Sequence, residues 1–499
     1  MMKNSFTFRY LILAFICSAM VTVCNVDETY ALKFLKGKLE VAGFMRNDSA
    51  WRVRHGSNAQ EGLEGGDLVL CRNTFQLEIE YKPTDWLSIF IMPRLVYDAS
   101  LDFDRSLERR IVRYRRHDYK VDDDIREIYA DITFKNFRAR IGKQQIVWGE
   151  ADMFRMADIV NPLDISWDNT LYSTISSYED IRIPIWAFDL LWNSVGGHWW
   201  EVELLWIPGF IEDGFVPHKV APEGAAWALP GLPQFMVDSI RKSEPDDGLE
   251  NSEFGLRVKG VFGGWETALF YFYSRTDHPV GLADINDRIG ASISDDPYRG
   301  FPAFPGYYIH SGKYFEFPFT NRIGGTFNKY YDPFKTVFRG ECVVTIDDPM
   351  SDTVVMERTY ERETFQYMLG IDRPTTIPWL NTNRTFFISA QFFQKYIFNH
   401  NDHMMDGSPG GCTTDDHQTV MSLLMNTGYR WDTINPQIIF AYNFTGEGSI
   451  NPQCEFVVGN NWRIGGGIQI LMSHNQKEPY FGGIRGNDQV YVWAKYQFH

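Results

Sequence analysis

The sequence has 499 residues, of which 16% are aromatic and 22% are charged, and its formal net charge is -16 at pH 7. This acidic balance argues against a nucleic-acid partner, because phosphate contacts need clustered Lys and Arg side chains. No run approaches the ~18 uninterrupted apolar residues that a transmembrane helix requires, so the sequence excludes membrane-spanning helices.

The N-terminal segment has the pattern of a secretory signal peptide. Basic residues precede an apolar stretch from Tyr10 to Val23, and small residues up to Ala31 suit signal peptidase. We therefore predict a signal peptide over residues 1–31 and a single β-barrel domain over residues 32–499. A lipoprotein anchored through Cys24 is the alternative, although the residues before it match a lipidation site poorly.

Alternation of apolar and polar residues recurs along the rest of the chain. Between Val69 and Lys82 the odd-numbered positions are mostly apolar and the even-numbered ones mostly polar. The same split is present between Leu35 and Arg46 and between Gln489 and Phe498. Such a period of two predicts β-strands with one apolar face and one polar face.

Connections between these predicted strands alternate between short and long. Lys135-Asn136 and Gly263-Gly264 are hairpin turns, whereas Gly149–Pro184 and Pro208–Asn251 are long. Short periplasmic turns that alternate with long external loops are typical of outer-membrane proteins, so we predict an all-β fold: a transmembrane antiparallel β-barrel of about 18 strands, porin-like, in the bacterial outer membrane. A large soluble all-β protein is the alternative, but no fixed-period repeat supports a propeller.

The hairpin from Ile125 to Val147 is predicted to carry a charged inner face. Its two-residue turn sets the register, so that Asp131 lies opposite Arg140. The residues predicted to point into the lumen are Glu127, Asp131, Arg138, Arg140 and Gln144. They could form a charged constriction or solute ladder, or, as we favour, ion pairs that only set the register within a polar lumen.

Strand parity predicts further charged residues inside the lumen. They are Arg72, Glu78, Arg94, Arg257, Arg339 and Glu341. Both signs are interspersed, which suits a channel for polar or amphipathic solutes better than a strongly ion-selective pore. Each could also be a structural charge.

The connection Gly149–Pro184 differs from the other loops. From Glu150 to Val160, apolar residues recur at helical spacing, and Asn161-Pro162 ends the pattern, so we predict a short helix in this loop after strand five. The loop could narrow the pore as a plug or cover the barrel mouth as a cap. Its candidate residues are Trp148, Glu150, Asp152, Arg155, Asp158, Asn161 and Asp164.

Three segments, Ile141–Glu150, Asp158–Asp164 and Glu179–Pro184, together resemble a bacterial family of outer-membrane β-barrel proteins catalogued as a domain of unknown function. The likeness extends across nearly the whole mature chain. It implies a monomeric barrel surrounded by outer-membrane lipid, often associated with an inner-membrane exporter of the resistance-nodulation-division type and a periplasmic lipid-handling protein. The resemblance implies no catalytic residues.

Motifs of catalysis are scarce in the sequence. It contains no G-x-S-x-G elbow, no H-E-x-x-H and no phosphate-binding loop, so we predict no enzymatic activity, no metal site and no cofactor. The favoured function is a transport conduit, with a lipid or another hydrophobic or amphipathic molecule as the expected solute. The alternatives are a structural barrel that sheaths an electron-transfer or surface complex, and an outer-membrane hydrolase.

Overall fold

The computed structural model describes residues 32–53, 65–100, 121–152, 154–164, 178–194, 199–211, 241–242, 245, 248–278, 280–281, 301–302, 308–309, 314–352, 359–405, 414–473 and 488–498. The predicted signal peptide and residue 153 of the predicted helix lie outside the described residues.

Eighteen antiparallel strands form the wall of a closed barrel, which confirms the predicted fold and strand number. A short strand, β1 (Leu32–Phe34), precedes the wall and pairs with its first strand. The wall strands are β2 (Leu39–Arg52), β3 (Leu68–Thr84), β4 (Leu87–Asp98), β5 (Val121–Phe134), β6 (Phe137–Gln144), β7 (Ile185–Asn193), β8 (Trp200–Ile207), β9 (Glu253–Phe262), β10 (Trp265–Arg275), β11 (Phe319–Tyr331), β12 (Thr336–Asp352), β13 (Thr359–Thr375), β14 (Phe386–Ile397), β15 (His417–Asn426), β16 (Ile434–Asn443), β17 (Glu447–Val458), β18 (Trp462–Ser473) and β19 (Gln489–Phe498).

The first and last wall strands close the ring. Each wall strand pairs with the next one along the chain, and β19 pairs with β2, with Phe498 opposite Gly43. A closed ring has no free strand edge, so every wall strand has a partner on both sides.

The remaining described elements are short and lie between wall strands or before them. The α-helix α1 covers Tyr178–Ile181. Single turns of 3-10 helix and strands of two or three residues make up the rest: Leu35–Gly37, Leu249–Asn251, Asp332–Phe334, Arg241–Lys242, Val280–Gly281, Phe301–Pro302, Tyr308–Ile309, Tyr314–Glu316 and Met404–Met405. None of the helices described is long and apolar enough to cross a membrane.

The predicted helix between Glu150 and Val160 is wrong. The described residues of that stretch form irregular chain, and the short helix of this connection, α1, lies further on. It follows β6, the sixth strand of the chain, and not the fifth. The apolar residues that suggested a helix contact opposite walls of the barrel instead, as described below.

Tight turns set the strand register at one end of the barrel. Gly263 and Gly264 join β9 to β10 with φ angles of 59° and 79°, a conformation that glycine adopts without steric cost. Lys135, with φ of 51°, starts the equally short turn between β5 and β6. That turn places Asp131 opposite Arg140, the register that the sequence predicts.

Alternate residues of each wall strand face outward and are largely apolar. On β10, Leu269 is 72% exposed, whereas its neighbour Phe270 is 4% exposed. Leu256 and Val258 on β9 and Val490 and Val492 on β19 are exposed in the same way. Only helices and closed barrels leave no unpaired backbone groups in lipid, and an apolar outer face matches the hydrocarbon of the bilayer. The closed ring and its apolar outer face are those of a transmembrane β-barrel.

Candidate functional site

The connection between β6 and β7 lies inside the barrel. We call residues 145–184 the inner loop; residues 153 and 165–177 of it are outside the described part of the chain. Trp148, Ala157 and Val160 of this loop are almost fully buried, although they belong to no strand or helix. Apolar side chains of a connection are buried in this way only where other parts of the protein cover them.

The inner loop reaches across the lumen to the opposite wall. The ring centroid of Phe154 lies 5.1 Å from that of Phe393 on β14. Phe154 also packs against Ile439 and Ala441 on β16. The strands β14 and β16 flank β15. In a ring of eighteen strands, β15 lies nine strands away from β6, which is half of the circumference. The loop therefore spans the full width of the barrel.

Polar contacts hold the tip of the loop against β12 and β14. Asp152, Arg339 and Gln391 form what we call the polar lock. Nη2 of Arg339 donates to the Asp152 carboxylate over 2.7 Å, and Nε2 of Gln391 donates to the same carboxylate over 2.7 Å. The Asp152 amide donates in return to the Gln391 side-chain oxygen over 3.2 Å. Nη1 of Arg339 donates to the Glu150 carbonyl over 2.6 Å.

Glu341 of β12 binds the backbone of the inner loop. Its carboxylate accepts hydrogen bonds from the amides of Glu150 and Ala157, the latter over 2.9 Å. The Glu150 side chain in turn accepts a hydrogen bond of 3.2 Å from Asn328 on β11. Glu341 is only 4% exposed, and a buried carboxylate without partners would be strongly unfavourable. The loop and this part of the wall therefore stabilise each other.

An ion pair and a backbone hydrogen bond fold the inner loop on itself. Arg182, just after α1, lies 2.7 Å from the Asp158 carboxylate, and both side chains are largely buried. The Asp164 amide donates to the Ile181 carbonyl over 2.6 Å. These contacts bring the two described stretches of the loop side by side.

Asn161 joins the inner loop to the ends of β6 and β7. Its side-chain oxygen accepts a hydrogen bond of 2.7 Å from the Ile146 amide, and its side-chain nitrogen donates to the Ile183 carbonyl over 2.8 Å. Arg155 donates to the carbonyl groups of Asp158 and of Asn161, the latter over 2.6 Å, and lies 3.6 Å from Asp277. A single buried asparagine thus ties together the two ends of the loop, next to β6 and β7.

Basic residues of the wall hold the end of the loop that carries α1. The Asp180 carboxylate lies 3.1 Å from Arg46 on β2 and 3.3 Å from Arg94 on β4. Arg126 on β5 donates to the carbonyl groups of Glu179 and Arg182 over 2.9 and 2.8 Å. The loop is therefore anchored on both sides of the lumen.

An apolar part of the inner wall covers the middle of the loop. We call Leu205, Phe270, Phe272 and Val343 the apolar seat, which forms one cluster with Trp148 and neighbouring residues of the loop. The Trp148 ring centroid lies 5.4 Å from that of Phe270 and 5.7 Å from that of Phe272. Full burial of a large apolar side chain contributes roughly 1.5–3 kcal/mol, so this cluster favours the inserted loop.

Parity reasoning from the sequence missed the apolar seat because it predicted a polar lumen throughout. A signal was present in β10, where Leu269 to Tyr273 is an unbroken apolar run and does not alternate. Such runs are typical of strands that are buried on both faces. Parity alone would also have found Gln391 of the polar lock, which shares an inner face with Phe393.

The predicted lumen residues fall into two groups. Five of them contact the inner loop. Glu127 contacts Gln145, Arg94 contacts Asp180, Arg257 contacts Val147, and Arg339 and Glu341 make the contacts described above. The others have wall neighbours: Arg140 binds Asp131, Arg138 binds Asp189, Glu78 binds Gln76, Gln144 binds the Ala187 carbonyl, and Arg72 lies opposite Asp48 and Asp98.

Three charged residues of the second group, Asp131, Arg138 and Arg140, form ion pairs within the wall. The Asp131 carboxylate receives two hydrogen bonds from Arg140, of 2.8 and 2.7 Å, and Arg140 also lies over the Tyr129 ring at 4.0 Å. Such a cross-strand pair stabilises the register of β5 and β6. No group of three His, Cys, Asp or Glu side chains within the described ranges is placed to hold a metal ion.

The family described as "Protein of unknown function (DUF1302)" matches residues 57–498. No curated protein sequence matches the chain. Among solved structures, Acinetobacter baumannii OccAB3 is similar at 8% identity and a TM-score of 0.48, over 92% of this chain and 99% of its own. Pseudomonas aeruginosa OccK2 (OpdF), in complex with glucuronate, is similar at 7% identity and a TM-score of 0.48, over 93% and 99%. The outer membrane channel DcaP of Acinetobacter baumannii is similar at 9% identity and a TM-score of 0.41, over 94% and 100%.

Proposed function

The chain belongs to the DUF1302 family of proteins of unknown function, and on that premise we propose that it is an outer-membrane transport channel whose lumen is closed by its own inner loop. In this proposal the loop acts as a plug that moves to admit a solute. The proposal involves no catalytic step.

One observation carries this proposal: the inner loop crosses the lumen and meets the opposite wall at Phe154. A barrel of 16–18 strands is wide enough to leave a water-filled channel when nothing occupies it. The polar lock and the apolar seat hold the loop by noncovalent contacts, which can break and form again. A wide barrel closed by a releasable segment of its own chain suits a gated conduit.

The same observation disfavours a barrel that sheaths another protein. A sheath needs its lumen free for the enclosed partner, whereas here the inner loop extends from β6 to the far wall at β14 and β16. A sheath would also have little use for a lumen-facing carboxylate such as Glu341 that binds the loop backbone.

We infer further that the solute is amphipathic or hydrophobic. If the inner loop withdrew, the apolar seat on β8, β10 and β12 would face the lumen, opposite a wall that carries Arg46, Arg94 and other charged groups. A solute with one apolar and one polar part would fit both surfaces. A periplasmic lipid-handling protein and an inner-membrane exporter, which the family resemblance implies, are the partners that we propose for such a solute.

Planar-bilayer conductance tests the plug role through the Asp152→Asn variant. Because the Asp152 side chain is 42% exposed, we expect its pair with Arg339 to contribute about 1 kcal/mol. Losing that amount should raise the ratio of open to closed time about fivefold. Asp131→Asn is the matched control, since Asp131 pairs with Arg140 on the wall and its variant should leave the ratio unchanged.

Liposome uptake of an amphipathic dye then tests transport as such. We expect the Asp152→Asn barrel to pass the dye faster than the wild-type barrel. Correctly folded barrels that conduct no ions and admit no dye in either form would overturn the proposed function.

A further inference from the structure

A cavity of about 480 Å³ lies at the short-turn end of the lumen, on the wall from β14 to β19. We call it the rim pocket and define it by Phe387, Asn426, Gln437, Gln453, Glu455 and Trp493. Pockets for small molecules commonly measure roughly 300–1,000 Å³, so one ring-sized solute would fit.

Three carboxamides form a row across the floor of the rim pocket. Asn426 on β15 lies directly opposite Gln437 on β16, and Gln437 lies opposite Gln453 on β17. Phe387, which is on β14, lies opposite Asn426 and extends the same surface by one strand. Directly opposite residues on neighbouring strands share one face, so these groups line a continuous surface.

An indole ring borders the other side of the rim pocket. Trp493 on β19 lies opposite Gly465 on β18, and Gly465 lies opposite Glu455 on β17. A Cβ atom added at Gly465 would be 2.5 Å from Cζ2 of Trp493. Glycine at this position therefore leaves the room in which the indole extends over β18 towards Glu455.

The first two carboxamides are available to a solute. The side chains of Asn426 and Gln437 make no hydrogen bond to the described residues, and both are only half-buried. The Gln453 oxygen accepts a hydrogen bond of 3.0 Å from the Tyr491 hydroxyl. A carboxamide offers two donors and an acceptor, and a hydroxyl group can meet either kind.

Each charged side chain that lines the rim pocket has a group of opposite charge close to it. Arg384 lies 2.6 Å from Asp432, and Arg463 lies 4.0 Å from Glu455. A charged solute would have to compete with these ion pairs, whereas a neutral one would not.

We propose that the rim pocket binds a neutral, hydroxyl-rich ring of the kind found in sugars, either as a free sugar or as the headgroup of an amphipathic molecule. The hydroxyl groups would bond to the carboxamide row, and the less polar ring face would lie against Phe387 or Trp493. As the headgroup of an amphipathic solute, the ring deepens the proposed function and rests on it for passage, whereas a free sugar would be a ligand other than that solute. The binding itself needs no transport.

The inner loop lies next to the rim pocket. Gln437 is two residues from Ile439 on the same face of β16, and Ile439 packs against Phe154 at the far end of the loop. A ring bound to the carboxamide row would therefore lie beside Ile439, the wall residue that contacts Phe154 of the inner loop.

Isothermal titration of the full barrel in lipid nanodiscs tests the proposal, with maltose as the free sugar and octyl maltoside below its micelle concentration as the amphipathic form. We expect at least one of them to bind, with Gln437→Leu and Trp493→Leu each weakening binding about tenfold. Gln76→Leu on β3 is the matched control, since Gln76 does not line the pocket and its variant should leave binding unchanged.

The two ligands distinguish the sources of the ring. Binding of maltose alone or of both ligands supports a free sugar, and binding of the glycoside alone supports a headgroup, provided that both variants weaken it. Absence of binding, binding that the variants do not alter, or tighter binding of a sugar carboxylate would overturn the proposal. A barrel that binds maltose without conducting would refute only the proposed function, and a conducting barrel that binds neither ligand would refute only the rim pocket.

Discussion

The carboxylate of Glu341 on β12 accepts a hydrogen bond of 2.9 Å from the backbone amide of Ala157, which is fully buried in the inner loop. The two residues are 184 positions apart in the chain. Because the same carboxylate also accepts from the Glu150 amide, a single wall side chain satisfies two backbone donors of a segment that lacks regular structure.

We expect Glu341→Gln to loosen the inner loop. A carboxamide presents an NH2 group to one of the two backbone donors, so one buried N–H would lose its partner at a cost of about 1–3 kcal/mol. Limited proteolysis should then cut the inner loop faster while the wall stays intact. Glu78→Gln is the control, because Glu78 contacts Gln76 and not the loop. Equal cutting rates in both variants would contradict this role for Glu341.

A reversible crosslink should hold the loop closed. Asp152 of the loop lies 3.3 Å from the Ser389 hydroxyl on β14, so cysteines at both positions could be joined by a short bis-thiosulfonate reagent, in which each thiol forms a disulfide and displaces a sulfinate. In a background without the other cysteines of residues 32–499, which are Cys71, Cys342, Cys412 and Cys454, we expect crosslinking to lower bilayer conductance and a reductant to restore it. The conductance of the Ser389→Cys variant alone should not change when the reagent is added. Conductance that the crosslink leaves unchanged would argue against movement of the loop.

Gly255 on β9 provides space for Trp148 of the inner loop. A Cβ atom there would lie 2.7 Å from Cη2 of the indole, so Gly255→Ala should displace the ring at a cost of about 1–3 kcal/mol. We expect a lower thermal midpoint and faster proteolysis of the loop. At Gly370 the nearest atom is the flexible Met368 sulfur at 3.3 Å, so Gly370→Ala should be tolerated. An equal drop of the thermal midpoint in both variants would contradict this role of Gly255, because any added Cβ atom would then destabilise the barrel.

A charge on the outer face should hinder insertion into lipid. Leu269 is 72% exposed on β10, and Leu269→Arg should reduce folding stability in bilayers by about 2–4 kcal/mol if it lies near the midplane. Leu249, in a turn between wall strands, is 70% exposed, and Leu249→Arg serves as the matched control with no expected loss. Unfolding by urea in lipid vesicles measures the free energy of unfolding of both variants. An equal effect at both positions would contradict the lipid-facing placement of β10.

Much of the wall could be predicted from the sequence. A period of two is a property of neighbouring residues, so strands such as β3 and β19 can be recognised without knowledge of their partners. Likewise, the two-residue turn at Lys135 and Asn136 sets the pairing of β5 with β6 by local geometry, and with it the Asp131–Arg140 ion pair.

The inner loop could not be predicted in the same way. Its apolar residues recur at helical spacing, but Phe154 packs on β14 and β16, whereas Ile159 and Val160 pack with the apolar seat. Side chains with partners on two opposite walls need no common helical face, so the spacing was misleading.

The sequence by itself determined the closed barrel, its eighteen strands and the charged inner face of the hairpin β5–β6, because turns and alternation act over a few residues. Only the tertiary structure decided that the inner loop enters the lumen, and that Asp152 meets Arg339 across 187 positions of the chain. Contacts between residues so far apart in the chain form only when the ring closes and distant strands face each other. Local sequence patterns therefore cannot predict these contacts.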